Sequence, residues 1–246
     1  MARSCGHDHV PQVHACTPSP DRITVVVLAA GASTRMGRPK ATLPLRRPHG
    51  AVEGEPACRR IVRLCHALGF ARSVVVLGHH ADVVRAACAD LADFAINPAP
   101  DRGMFSSVQV GARVAMEVPT PPHALMIWPV DCPLMSIGSL TALLEAGNPY
   151  VAREGMLWVR RPGFRMISEP TGHPVLLSAA LARRVIDAPS DSRLDALLNH
   201  PDVLPHTVLL RDNLHRLNLN TTVDAEPFVA AEPDEDGVDE DLAGRV

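Results

Sequence analysis

Two glycines and three cations stand close together in Gly31-Ala-Ser-Thr-Arg-Met-Gly-Arg-Pro-Lys40, a combination suited to holding polyphosphate. Glycine lets backbone N–H groups approach an anion closely, and Arg35, Arg38 and Lys40 supply neutralising charge. The spacing differs from a Walker A loop, in which the lysine directly follows the second glycine; here Arg38 and Pro39 intervene after Gly37. It also differs from a G-x-G-x-x-G dinucleotide turn. The residues alone therefore specify an anion-binding loop without naming the anion. Asp131 is the second chemical group of interest. It follows the apolar run Ala124-Leu-Met-Ile-Trp128 and precedes Pro133, which stops a strand. A lone carboxylate in such a place suits Mg²⁺, which keeps several waters and takes phosphate oxygens as further ligands. The same carboxylate can instead cap a helix that begins near Ser136.

The elements that must position these groups follow from apolar periodicity. Ile23-Thr-Val-Val-Val-Leu28 reads as a strand buried on both faces, and it empties directly into the glycine loop. Residues 41–55 read as a loop. Ala57, Ile61, Leu64, Cys65 and Leu68 recur at helical spacing, and Gly69 ends that helix. Ser73–Leu77 is a second buried strand, Val84 to Leu91 a helix, and Phe94–Ile96 a short third strand. Strand–helix alternation of this kind specifies a parallel sheet with right-handed crossovers, whose ligands gather at the carboxyl ends of the strands. A helix follows from Met104, where Ser106 or Ser107 can act as its cap and leave its first amides free for a phosphate or ribose. Ala124–Trp128 is a further strand. Residues 150–165 are strand-like and basic, with Glu154-Gly155 as a turn. Arg153, Arg160, Arg161 and Arg165 there either meet an acceptor phosphate or form a solvated face. Helices over 178–187 and 193–199 and a strand over 206–210 complete the chain.

Composition narrows the class. The chain has 246 residues, enough for one large α/β domain, and only 3% are aromatic, so the core must be aliphatic. Residues 1–21 are polar and aperiodic and read as a disordered arm; residues 229–246 read as an acidic disordered tail. That tail holds seven acids and one arginine, which leaves residues 1–228 at a net charge of +3. A mildly basic body suits a small anionic substrate and is too weak and too poor in aromatics for nucleic acid. No apolar run approaches the roughly 20 residues of a membrane span. The cysteines at 5, 16, 58, 65, 88 and 132 contain no CxxC pair, which fits free thiols in a reducing cytoplasm.

Leu28-Ala-Ala-Gly-x-Ser-x-Arg-Met-Gly-x-Pro-Lys40 resembles the signature loop of the MobA-like nucleotidyltransferases. It is most similar to the molybdenum cofactor cytidylyltransferase branch, with Ala30 where the guanylyltransferases more often carry a second glycine. Val130-Asp-x-Pro-Leu134 resembles the family's Asp-x-Pro metal motif. The stretch from Asn97 through Gly103-Met104 to Ser107-Val108 resembles the motif lying along the nucleotide, and Gly172-His-Pro-Val175 the acceptor-side motif. Three departures stand out. The chain over 46–54 lacks the usual Gly-containing turn. Ser190-Asp-Ser-Arg-Leu-Asp195 stands where Gly-Asp-x-Gly-Ala-Arg is usual. In the closing motif Asp-x-Asp-Thr-Pro-x-Asp, Asn218 and Asn220 replace acids and Thr222 replaces the proline.

The resemblance implies a three-layer α/β/α Rossmann-like nucleotidyltransferase fold with a mostly parallel sheet, spanning residues 22–228. It implies Mg²⁺-dependent transfer of a nucleotidyl group from an NTP to a phosphorylated acceptor, with release of pyrophosphate. Leu28, Ala29, Ala30, Gly31, Lys40, Gly103 and Ser107 would hold the nucleotide. Lys40, Arg35 and Asp131 would be catalytic, Asp131 and Asn220 would hold the metal, and His173 would face the acceptor. CTP and molybdopterin are the implied substrates, with a molybdoenzyme as a possible partner. The same chemistry with GTP and molybdenum cofactor, or with a sugar or alditol phosphate, is the nearest rival. A non-catalytic nucleotide- or cofactor-binding maturation factor is the rival from another class.

Overall fold

The computed structural model describes residues 18–46, 54–147, 155–163 and 172–230. Strand β1 (Ile23–Leu28) leads into the glycine loop, and a miniature hairpin of β2 (Pro44–Leu45) and β3 (Glu55–Pro56) follows. The expectation of a plain loop over 41–55 is thus corrected at its ends, where Leu45 and Glu55 are paired. Helix α1 (Ala57–Ala67), strand β4 (Arg72–Leu77), helix α2 (Ala81–Cys88), strand β5 (Asp93–Ile96) and helix α3 (Met104–Met116) come next. The second half contains β6 (Ala124–Pro129), α4 (Ile137–Glu145), β7 (Trp158–Gly163), β8 (Val175–Ser178), α5 (Ala179–Asp187), α6 (Leu194–Leu198), β9 (Leu204–Leu209) and α7 (Thr222–Ala225). Gly69 adopts φ +82° just past α1, as a helix-ending glycine does.

Seven strands form one sheet in the order β5-β4-β1-β6-β8-β7-β9. The first four are mutually parallel, β8 is antiparallel to both β6 and β7, and β9 returns parallel to β7 at the edge. All six residues of β1 and of β6 are buried, because helices cover both faces. Alternation along β1 divides the core in two. Val25 and Val27 pack with α1, α2 and α4, while Val26 and Leu28 pack with α3, α5 and α6. The closest approach is at Gly111 of α3, where a Cβ would lie 2.2 Å from Val26 Cγ1. This is the three-layer, mostly parallel fold that the resemblance implied.

The topology fixes where a site can form. From β1 the chain goes outward through β4 and β5, then crosses back by α3 to β6 on the other side of β1. The carboxyl ends of β1 and β6 therefore flank the point where strand order reverses. Leu28 pairs with Pro129, so the glycine loop and Asp131 emerge side by side.

One expectation fails in the second half. Arg160 is neither solvated nor aimed at an acceptor: it is fully buried, and Nη1 donates to the carbonyls of Leu143 (2.9 Å) and Leu144 (2.8 Å) at the end of α4. It neutralises the negative end of that helix, and burial lowers its pKa to about 10. Arg153, Arg165 and the Glu154-Gly155 turn lie partly or wholly outside the described residues. Cys58, Cys65, Cys88 and Cys132 are free thiols; Cys5 and Cys16 are outside the described residues. Among those described, no helix is long and apolar enough to cross a membrane.

Candidate active site

The loop after β1 is held open by its own backbone. Ser33 (φ +52°) and Gly37 (φ +70°) both take left-handed conformations, and the Ser33 hydroxyl accepts from Lys40 N at 3.1 Å. The loop thus returns Lys40 to the cavity that it started from. Among the described residues, no intramolecular acceptor takes the amides of Gly31, Ala32 or Thr34. These are the groups a phosphate needs. Two contacts that the sequence reading missed fix the loop from the β4 side. Gly78 packs so closely that a Cβ there would lie 2.4 Å from Ala30 O. His80 Nε2, which must carry its proton, donates to Ala32 O at 2.9 Å. Gly78 follows a buried strand directly, a signal that would have found it; His80 had none.

Asp131 forms the opposite wall. It does not cap a helix: the cap of α4 is Ser136, whose hydroxyl accepts from Ser139 N. Lys40 Nζ donates to Asn220 Oδ1 at 2.7 Å and lies 3.8 Å from Asp131 Oδ2, so one ammonium ties together the three groups singled out from sequence. The closing segment is pinned by Leu219 N donating to Asp131 O at 2.7 Å. Asn218 accepts from the Cys132 thiol at 2.6 Å and is thereby occupied. Burial and the Asp131 charge push that thiol's pKa up, which keeps it a donor. Asp224 serves Thr221 in a capping box. Arg60 on α1, 2% exposed, also escaped the sequence reading; it donates to Pro133 O and Met135 O and holds the turn behind Asp131.

These walls enclose a cavity of about 330 Å³ lined by Leu28, Ala29, Ala30, Gly31, Arg35, Lys40, Gly103, Ser107 and Asp131 among others. Every nucleotide-side residue expected from sequence lines it. The serines do not cap α3; its cap is Gly103 (φ +92°), and Ser106 and Ser107 sit in its first turn, buried and bonded to Asn97. A second cavity of about 470 Å³ meets the first at Gly103 and Met104. Its lining includes Arg102, Arg161, His173 and residues 190–195. Burial holds the His173 imidazole below its ordinary value of 6.5, against the opposing pull of the Asp131 carboxylate, so it faces this cavity as a neutral ring. Arg102 and Phe105 were not anticipated there.

Comparison with known proteins shows the family and agrees with the fold. Residues 25–206 match the family model described as the MobA-like NTP transferase domain. The chain belongs to that family. Among curated relatives, the bifunctional protein GlmU of Burkholderia mallei (strain SAVP1) is 29% identical over 188 residues, covering 71% of this chain and 36% of GlmU. The chain thus spans about a third of that relative's length. Among solved structures, Rv0371c of Mycobacterium tuberculosis H37Rv superposes with a TM-score of 0.63 at 23% identity, covering 83% of this chain and 96% of Rv0371c. The molybdopterin-guanine dinucleotide biosynthesis protein A of Archaeoglobus fulgidus gives a TM-score of 0.56 at 14% identity, covering 83% and 95%. At these identities the structural likenesses report the MobA-like fold alone.

Proposed function

We propose that this MobA-like domain, over residues 22–228, transfers CMP from CTP to the phosphate of molybdopterin in the cytoplasm and releases pyrophosphate. The observation that carries the reading is the position of Lys40 Nζ, 2.7 Å from Asn220 Oδ1 and 3.8 Å from Asp131 Oδ2, in a cavity that opens onto a second one. The first cavity has the free amides and cations for a triphosphate. The second has Arg161 and Arg102 for an acceptor's phosphate and apolar walls for its ring system.

The acceptor phosphate oxygen forms a bond to the α-phosphorus while the bond to pyrophosphate breaks. No covalent intermediate with the protein is required, so its task is alignment and charge stabilisation. The amides of the loop from Gly31 orient the phosphates. Lys40 and Arg35 offset the charge that moves onto the α-phosphoryl oxygens and the leaving group. Neutral His173 borders the acceptor without adding charge.

The donor set fits Mg²⁺. Among the described residues no cluster of three His, Cys, Asp or Glu side chains exists to hold a softer or more demanding ion. One carboxylate, Asp131, with the lone pair that Asn220 Oδ1 keeps beside its bond from Lys40 Nζ, leaves most positions to water and phosphate, as Mg²⁺ prefers. When bound, the ion supplies charge neutralisation on the phosphates. A structural neighbour's crystals contain manganese, which supports a divalent cation in this fold.

The test is thermal shift of wild type and Asp131→Ala against CTP, GTP, UTP and ATP, with and without Mg²⁺. A ligand at a hundred times its dissociation constant adds about 2.7 kcal/mol. We expect CTP to stabilise the wild type only with Mg²⁺ and the variant to lose the response. Stabilisation by GTP instead moves the reading to guanylyl transfer, the activity suggested by the Archaeoglobus neighbour's name. No response to any triphosphate overturns the enzyme reading.

A further inference from the structure

Cys58 and Cys88 meet where α1 packs on α2, away from both cavities. Their sulfurs are 3.2 Å apart, the Cys88 thiol donating to Cys58 Sγ, and both residues are fully buried. The two sulfurs are unequal. Cys58 is the second residue of α1, and the bond from Cys88, helped by the first amides of the helix, holds its pKa below the ordinary thiol value against the effect of burial. The same bond, with burial, holds Cys88 above that value, as a protonated donor. An attacking sulfur and a resolving sulfur therefore stand in contact. The other two described thiols differ: burial pushes the Cys65 thiol up, and Cys132 is engaged by Asn218. Arg59, beside Cys58, spans the same two helices. It donates to Ala87 O at 3.3 Å and to the two oxygens of Asp90 at 2.6 and 2.9 Å, which keeps the sulfurs facing each other. Cys88 ends the eight-residue α2 and is followed by exposed Ala89 and Asp90, so opening of one helix end uncovers the pair.

We propose that Cys58 and Cys88 form a reversible thiol–disulfide site that responds to a peroxide oxidant and clamps α1 to α2 behind the turn carrying Lys40. The Cys58 thiolate attacks one peroxide oxygen. An S–O bond forms, the O–O bond breaks, and the hydroxide that leaves becomes water with the proton Cys58 released, giving a sulfenic acid. The Cys88 sulfur then attacks Cys58 Sγ. The S–S bond forms, the S–O bond breaks, and hydroxide leaves as water with the proton of Cys88. Two thiols have lost two electrons and peroxide has gained them; an added dithiol reverses the bond by exchange. The reach to the site is through packing. Both helices rest on the Lys40–Thr42 turn, and Ala41 lies in the same core cluster as both cysteines. Ala57 N, next to Cys58, donates to Leu43 O at 3.0 Å. A transient, redox-sensing disulfide is the kind that a reducing compartment permits. None of these contacts depends on the nucleotide reading.

The test treats the reduced full chain with hydrogen peroxide, then unfolds it, alkylates free thiols with iodoacetamide and maps the peptides by mass. The expected product is a peptide pair joined through Cys58 and Cys88, returned to two alkylatable thiols by dithiothreitol, while Cys65 stays alkylatable throughout. In Cys88→Ser the oxidation should halt at a Cys58 sulfenic acid that dimedone traps. The melting temperature of the oxidised wild type should rise by several degrees, because the bond restricts the unfolded chain between residues 30 apart. Amide exchange at Thr42 and Leu43, whose N–H groups bond to Pro39 O and Lys40 O, should slow on oxidation and recover on reduction. Peroxide that leaves both cysteines alkylatable, joins either to a third cysteine, or carries Cys58 past the sulfenic stage without a bridge overturns the site. A bridge that forms while exchange at Thr42 and Leu43 stays unchanged overturns the clamp on the Lys40 turn.

Discussion

The two cavities are built by different means. The first cavity, the proposed nucleotide side, is made mostly of backbone and small residues: Ala29, Ala30 and Gly31 after the end of a buried strand, and Gly103 at the start of α3. The acceptor side is made of long side chains brought together from α3, β7, the cis His173-Pro174 turn before β8 and the segment 190–195. A backbone wall is set by sheet register and tolerates little change in shape. A side-chain wall can be rebuilt one residue at a time. On the proposed reading, the constant part of the chemistry belongs to the first cavity and the choice of acceptor to the second.

The largest effect should come from setting Lys40→Ala against Arg161→Ala. Lys40 bridges Asp131 and Asn220, so its loss should lower turnover about 10³-fold, the scale of removing one preorganised stabilising group. Arg161→Ala should raise the acceptor's KM about tenfold and leave CTP affinity unchanged. Pyrophosphate release against each substrate separates the two. If Arg161→Ala weakens CTP binding as much as acceptor binding, the division into two sides fails.

How much of this was legible follows from the same division. Buried strands announce themselves as aliphatic runs, and parallel topology places their carboxyl ends together, so the meeting of the 31–40 loop with Asp131 could be read from the chain. Gly78 directly follows a buried strand and Asn97 opens the stretch that resembles the nucleotide motif, whereas His80 and Arg60 could not be read. Each of those two acts through one or two contacts with a segment distant in sequence, and no periodicity reports such a contact. Arg160 shows the opposite error: its charge suggested an exposed basic face, but the carbonyls at the end of α4 give a guanidinium a buried partner. The stretch 190–195, noted in the sequence only as a departure from the family's motif, lines the second cavity.

Gly78→Ala and Gly111→Ala sharpen the contrast, because both meet a neighbour at impossible distances. At Gly78 the new methyl would lie 2.4 Å from Ala30 O, on the nucleotide wall. At Gly111 it would lie 2.2 Å from Val26 Cγ1, inside the α3–sheet packing and away from both cavities. Both should destabilise by about 1–3 kcal/mol, as overpacking does. Only Gly78→Ala should also weaken nucleotide binding, by about tenfold, because Ala30 must move. Equal nucleotide affinities in the two variants would show that the wall yields, against the rigidity argued from its backbone construction.

The smallest effect is a dependence of stability on pH, and it belongs to the acceptor side. Burial holds His173, His206 and His215 below the ordinary imidazole value of 6.5. His215 is fully buried, both its ring nitrogens lack a partner among the described residues, and Gly172 presses against its ring. His173 N donates to His215 O at 3.2 Å, which ties the two segments together. Above pH 6.5 folded and unfolded chains both carry neutral imidazoles, and pH makes no difference through these groups. Below it the unfolded chain takes up protons that the folded chain refuses, so stability falls as pH drops from about 6.5 toward the lowered folded values. For His215 the slope is at most about 1.4 kcal/mol per pH unit. Melting temperature from pH 7.5 to 5 should decline only on the acid side of that window. Hydrogen exchange, corrected for its intrinsic pH dependence, should rise first at 172–177 and 214–217 while 23–28 stays protected. Uniform loss of protection across both segments would mean that the two sides of the site are one cooperative unit, and the acceptor wall would then share the rigidity of the nucleotide wall.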